Sequence, residues 1–260
     1  FVFVWMSFEY FHMAWEFTWP WLNLGNVFSE QVTWIQWYEY TGTFGGTLWV
    51  WVVNIVAFLA VDSYLKAKNR KLLAQKVGVM MLLVAVPITI SYFIYANYTE
   101  KGKKTVTAIV LQPNIDPYDA KYALTNTEVS QLLIQLSAKK MDKDVNFIIT
   151  PETVFADNIK LHELSEKIEI QQLRAFTARY PQLNWVVGTA MIDFVTDKAL
   201  TTSQSNYLPK YGIWYNDYNS AFLLNGETQQ LPLYHKSKLV VAVENFPYQQ
   251  ILKPILGETL

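Results

Sequence analysis

The 260 residues hold no cysteine, and they hold no lysine or arginine before Lys66. The first absence excludes, within these residues, a disulfide framework, a zinc–thiolate site and a cysteine nucleophile. The second leaves the first 65 residues without a basic side chain. With a net charge of −1 and no long basic face, a nucleic-acid partner is excluded as well. Histidine is scarce too: His12, His162 and His235 are too scattered to suggest a metal site.

What is present is unevenly divided. Eight of the ten tryptophans lie at or before Trp51, and all 21 basic residues lie at or after Lys66. The whole-chain averages, 17% charged with a mean hydropathy of +0.10, therefore describe neither half. The pattern predicts a transmembrane region over residues 1–100 and a globular domain over 101–260.

Residues 77–95 carry no charge, and a bilayer core needs about 20 apolar residues in helical form. Pro87 inside that run is tolerated better in lipid than in water. A second run, Thr47 to Val61, is interrupted only by Asn54. The first segment, Phe1 to Phe17, is aromatic and apolar but carries Glu9, His12 and Glu16 at i, i+3 and i+7, on one helix face. That face turns either toward a bundle interior, as ionisable groups in membrane helices do, or toward water along an interfacial helix. Three spans follow, at about 1–17, 45–61 and 77–96. The chain opens inside an apolar segment without Met or a basic n-region, so it reads as a fragment rather than as a signal peptide.

Between the second and third spans, Lys66, Lys68, Arg70, Lys71 and Lys76 face a single Asp62. A short basic loop is retained on the cytoplasmic side. Segment 18–46 and everything after Asn97 then lie outside, despite Lys101, Lys103 and Lys104. The outer segment packs rings in Trp19–Gly25 and Trp34–Tyr40, either as an aromatic belt at the membrane boundary or as a lipid-handling surface.

The second half alternates. Strands are expected at Thr105–Gln112, Val145–Thr150, Asn184–Met191, Ser220–Leu224 and Leu231–His235. Helices are expected at Tyr118–Met141 and Ile159–Arg179, and Asn225-Gly226 signals a hairpin. This is an α/β pattern. Glu152 follows a strand ending Phe-Ile-Ile-Thr-Pro, at the carboxyl edge where open α/β sheets place their sites. Lys236 ends another strand. A carboxylate base and a lysine cation so placed suit acyl transfer, although spacing alone does not separate that use from two solvated side chains.

Several stretches, in order, resemble apolipoprotein N-acyltransferase, the membrane member of the nitrilase superfamily. They are Trp19-Pro20-Trp21-Leu22-Asn23-Leu24-Gly25, Gln36 through Gly46, Gln112-Pro113-Asn114-Ile115 and Thr150-Pro151-Glu152-Thr153. Tyr218-Asn219-Ser220-Ala221 and Tyr234-His235-Lys236-Ser237-Lys238-Leu239-Val240 follow, with Glu244 and Pro247 beyond. The resemblance implies a multi-pass helical bundle in a bacterial inner membrane, with a periplasmic nitrilase-like (αββα sandwich) domain that is C-terminally truncated here. It implies transfer of an acyl chain from a phospholipid donor to the amine of a diacylglyceryl apolipoprotein acceptor, with no cofactor. On the family's Glu–Lys–Cys triad, Glu152 matches the base and Lys236 the lysine. Glu244 matches an additional glutamate near the pocket, and Tyr122 an aromatic on the loop that follows Gln-Pro-Asn-Ile.

Two departures accompany the match. The nucleophilic cysteine is expected several tens of residues after Lys236 and is absent from this sequence. The Pro-Gly or Pro-Phe-Gly usual before the additional glutamate is replaced by Val241-Ala242-Val243. The rivals are a membrane-tethered carbon–nitrogen hydrolase and a catalytically dead paralogue.

Overall fold

The computed structural model describes residues 1–100, 102, 104–116, 123–202, 205–241, 244, 247–248 and 251–252. It divides into two units, Phe1–Lys101 and Gly102–Leu260. Tyr122 lies outside the described residues.

The first unit contains α1 (Val2–His12), α2 (Tyr38–Ala67) and α3 (Arg70–Ala96). Helices α2 and α3 are long and apolar enough to cross a membrane. Their 30 and 27 residues, at about 1.5 Å each, exceed a hydrocarbon core of about 30 Å. Pro87 sits inside α3 without ending it. The basic loop expected at 62–76 is much shorter than its sequence suggests. Lys68 takes the left-handed conformation (φ 52°) that closes α2, and Asn69 caps α3 by accepting from the N–H groups of Lys71 and Leu72. Most of the basic residues therefore sit on helix ends. Lys76 Nζ reaches back to Leu59 O at 2.8 Å and Ser63 Oγ at 2.6 Å, tying α3 to α2.

The span expected over 1–17 is helical only across the eleven residues of α1, and two membrane-length helices are found among the described residues rather than three. Of the residues on its presumed polar face, Glu16 is exposed and Glu9 is buried, at 4% exposure. Burying a carboxylate is costly unless its oxygens are satisfied, and these are. Glu9 Oε1 accepts from Trp5 Nε1 at 3.0 Å and from the Leu24 N–H at 2.9 Å, while Oε2 accepts from Thr47 Oγ1 at 2.7 Å. Thr47 Oγ1 accepts from the Gly25 N–H, and Tyr38 OH donates to the Gly25 carbonyl. The inward reading holds for Glu9. The carboxylate pins the tryptophan-bearing segment onto α2, whose first turn is set off by a kink at Gly42 (φ 64°, ψ −170°).

Among the described residues, the second unit is built on a mixed seven-stranded sheet. Its strands are β1 (Thr107–Val110), β2 (Val145–Ile149), β3 (Phe155–Lys160), β4 (Asn184–Val195), β5 (Asn206–Leu208), β6 (Ile213–Leu224) and β7 (Leu233–His235). Two twelve-residue strands, β4 and β6, run antiparallel from Trp185↔Leu224 to Val195↔Trp214 and form its spine. Each is flanked by two short strands. Parallel to β4, β2 pairs with its first residues and β3 with its later ones. Antiparallel to β6, β7 pairs at 220–222 and β5 at 213–215. The flanks are thus interrupted at 150–154 on one side and at 216–219 on the other.

Helices α4 (Asn126–Ala138) and α5 (Ile168–Thr177) pack on one sheet face. Along β4, Trp185, Val187, Thr189 and Met191 are buried there, and along β6, Ser220, Phe222 and Leu224 are. The alternate residues Val186, Ala190, Asn219, Ala221 and Leu223 are only half-buried. The chain differs from expectation in several places. The helix read from Ile159 begins at Ile168, because Phe155–Lys160 is claimed by β4 as a strand and a 3-10 turn fills Leu161–Glu166. The expected Tyr118–Met141 helix is described only from Asn126, where Thr125 and Glu128 form a capping box. Finally, β6 and β7 do pair as a hairpin, but through an eight-residue connection in which Asn225 Oδ1 accepts from the N–H groups of Glu227 and Thr228.

Candidate active site

Strand β2 stops because Pro151 has no N–H to continue the ladder. The preceding Thr150 makes the last ladder contact, its N–H donating to Val186 O at 3.0 Å. Thr150 Oγ1 then accepts from the Gly188 N–H, a donor that no flanking strand meets. The chain next crosses over β4 at Gly188. A Cβ there would lie 2.3 Å from Pro151 O, 2.7 Å from the Thr153 nitrogen and 2.9 Å from Glu152 Cα. Thr153 follows in the left-handed region at φ 46°, which turns the chain back into β3. This crossing carries the Glu152 carboxylate over the half-buried face of the sheet.

Lys236 arrives from the opposite side. It follows β7, and its N–H extends the ladder by one bond, to Asn219 O at 2.8 Å. Lys236 Nζ lies 2.8 Å from Glu152 Oε1, although 84 residues separate them. It also contacts both oxygens of Glu244, at 3.0 and 2.9 Å. Asn219 Nδ2 donates to Glu152 Oε1 and, at 2.7 Å, to Glu244 Oε1. The Val240 N–H donates to Glu244 Oε2 at 2.7 Å. Val241-Ala242-Val243 in place of the usual Pro and Gly therefore does not keep Glu244 from the lysine.

The cluster borders a pocket of about 270 Å³ whose floor is Val186, Gly188 and Ala221 and whose walls include Pro151 and Tyr234. Glu152 is its most open charge, with a side chain 60% exposed against 27% for Lys236 and 22% for Glu244. The Lys236 ammonium, then the Asn219 amide, hold the Glu152 carboxyl below its ordinary range, outweighing partial burial. Burial pushes Glu244 up, but the Val240 N–H, Asn219 and Lys236 together more than offset it and leave it lowered. The hydrogen bond to Glu152 raises Lys236 above its ordinary value. At neutral pH the site is one ammonium clasped by two carboxylates. Among the described residues no cluster of three or more metal-ligating side chains forms.

The structure thus brings Glu152, Lys236 and Glu244 together. Sequence reasoning did not single out Asn219 as a site residue, although it links both carboxylates. Its signal was its place in the Tyr218–Ala221 stretch.

These features define a class: a chain with two membrane-length apolar helices, followed by a mixed-sheet domain with a carboxylate–lysine pocket at a break in the sheet. Comparison with known proteins narrows it. Residues 1–56 match the family model described as the apolipoprotein N-acyltransferase N-terminal domain. Over 253 residues, 95% of this chain, the sequence is 23% identical to the apolipoprotein N-acyltransferase of Chlorobaculum tepidum. The chain spans 45% of that relative's length. Nearly all of the sequence is thus similar to an apolipoprotein N-acyltransferase.

Proposed function

We propose that the protein acylates the N-terminal amine of diacylglyceryl apolipoproteins, taking the acyl chain from a membrane phospholipid. The observation that carries this reading is the 2.8 Å contact between Glu152 and Lys236 at an open pocket, in a chain similar to an N-acyltransferase. The nucleophile is a cysteine thiol that these 260 residues do not contain. Glu152 takes the thiol proton, because the thiolate is the reactive form. The sulfur attacks the phospholipid ester carbonyl, and Lys236 stabilises the oxyanion. The C–O bond then breaks, lysophospholipid leaves with a proton returned by Glu152, and a thioester remains. The apolipoprotein amine attacks the thioester, the C–S bond breaks, and Glu152 relays the amine proton to the departing sulfur.

The geometry bears on timing. While Lys236 holds Glu152, the carboxylate is a weaker base than a free one. An oxyanion that draws Lys236 toward itself releases Glu152 and raises its basicity at the moment a proton must move. Glu244, bonded to Lys236 and to the Val240 N–H, keeps the ammonium in place during that exchange. In this reading α2 and α3 span a bacterial inner membrane with the 68–69 turn inside, and the mixed-sheet domain is periplasmic. Segment 1–17 belongs to the same bundle as a third membrane element.

The test is direct. In the full-length protein, Glu152→Gln or Lys236→Ala abolishes acyl transfer from phospholipid to a diacylglyceryl lipopeptide and leaves membrane insertion intact. Near wild-type transfer in either variant removes that residue from the mechanism. Release of free fatty acid instead of acylated peptide would identify a hydrolase.

A further inference from the structure

Directly behind the site lies a second polar contact that the mechanism above does not use. Ser220 Oγ and His235 Nδ1 are 2.7 Å apart, joining β6 to β7 across the sheet. Ser220 is 4% exposed, with fully buried Thr189 opposite it on β4. The His235 ring packs on Tyr218 with centroids 4.4 Å apart. Neighbouring residues of a strand point to opposite faces. Ser220 and His235 therefore face the helix-covered side, while Asn219 and Lys236, one residue before and after them, face the pocket. Ser220 borders the pocket at the strand, while its hydroxyl is engaged with His235.

We propose that the Ser220–His235 contact is a pin that sets the register of β7 and thereby positions Lys236, which makes His235 a positioning residue for the reaction proposed above. The inference rests on that reading for its catalytic consequence but not for its geometry. Strand β7 is three residues long and pairs with only three residues of β6. So short a pairing specifies register weakly, and a one-residue slip would exchange the faces, turning Lys236 into the core and His235 into the pocket. The backbone ladder offers one bond at the site itself, from the Lys236 N–H to Asn219 O. The partly buried side-chain bond immediately behind it distinguishes the correct register from its neighbours, because only that register sets a histidine opposite a serine.

The experiment uses the full-length protein in detergent with the variants His235→Ala, Ser220→Ala, the double variant and His235→Asn, whose amide keeps a hydrogen-bonding atom near the Nδ1 position. Two quantities are read. One is the rate at which a small amine-acylating ester modifies Lys236, followed by mass spectrometry, which requires no transfer activity. The other is kcat and KM for acyl transfer. Each alanine variant is expected to speed modification of Lys236, freed from its carboxylates, and to lower kcat by about tenfold or more with little change in KM. The double variant should be no worse than the singles, because both remove the same contact. His235→Asn should recover most of the loss. Ile148→Val, a fully buried change away from β7, controls for general loosening and should leave both readouts unchanged. Wild-type modification rates and kcat in both alanine variants, multiplicative losses in the double, or an equal response to Ile148→Val would each overturn the pin. If Glu152→Gln retains transfer, the functional reading fails, and the Lys236 modification rates still decide the pin.

Discussion

At the scale of single residues, the site depends on one side chain being absent. Gly188 lets the Pro151–Thr153 backbone cross β4 in contact, and all three atoms a Cβ would meet belong to backbone. Gly188→Ala must therefore lift the crossing and displace Glu152 from Lys236. We expect about 1–3 kcal/mol of destabilisation, as for other overpacked sites, together with loss of transfer. Denaturation of purified protein alongside the lipopeptide assay checks both, and an unaltered midpoint would show that the crossing yields freely. The charges make a second prediction. Lys236 foremost, then Asn219, hold Glu152 below its ordinary 4.5, and Glu244 is lowered as well. Carboxyls so lowered stabilise the fold above that ordinary value, and the contribution is lost as pH falls through their folded values. Lys236, raised above 10.5, contributes below that pH and loses its contribution as pH rises through its folded value. The cluster should persist from about pH 4.5 to 10.5, while the exposure of Glu152 keeps its share of stability small. Carboxyl-carbon NMR should show Glu152 titrating closer to 4.5 in Lys236→Met, and an unmoved titration would remove the ion pair as the cause. Glu152 was legible in the sequence because Pro151 marks a strand end. Asn219 was not, because nothing local distinguishes an asparagine that bridges two carboxylates from one that faces solvent.

At the scale of elements, the sequence signalled elements well where a segment's own pattern decides its structure and poorly where a partner does. The uncharged run at 77–95 became α3, and Val145–Thr150 became β2, because apolar content alone suffices for each. Residues 159 and 160 carried no sign that β4 would take them as strand, since that pairing depends on residues 191 and 192. Strands β4 and β6 each proved longer than expected for the same reason, each supplying the other's ladder. In the first unit, the segment between α1 and α2 holds only short 3-10 turns of three to five residues, and Glu9 ties it to α2. Glu9→Ala leaves the partly buried Leu24 N–H and Trp5 Nε1 and the buried Thr47 Oγ1 without their acceptor, at about 1–3 kcal/mol for each group that water does not reach. Limited proteolysis in detergent should then cut within residues 19–37 well before it cuts the wild type. Equal cleavage rates would show that Gly25, Tyr38 and the α2 packing hold the segment unaided.

At the scale of the molecule, the division of charge is the most far-reaching feature, and it predicts a topology. Helices α2 and α3 are joined by two residues, so if both cross the bilayer they form a hairpin whose turn lies on one side and whose remote ends share the other. The turn is the basic end: Lys66, Lys68, Arg70, Lys71 and Lys76 gather around it, and Lys76 is further engaged with α2. Basic residues close to short turns resist translocation, whereas a large domain following a span crosses with little regard to its own charge. On the proposed topology the end of α3 at Ala96, and the mixed-sheet domain after it, are expected outside. The lack of cysteine within these residues makes the proposition testable without removing any native thiol from them. Lys68→Cys and Lys210→Cys, each introduced singly, report the turn and the domain. A membrane-impermeant maleimide added to cells with a permeabilised outer membrane should label position 210 at once, and position 68 only after the inner membrane is opened. The reverse pattern would invert the protein and put Glu152 and Lys236 on the cytoplasmic side. There the proposed acylation could not reach lipoproteins exposed at the outer leaflet, so the topology and the function would fall together.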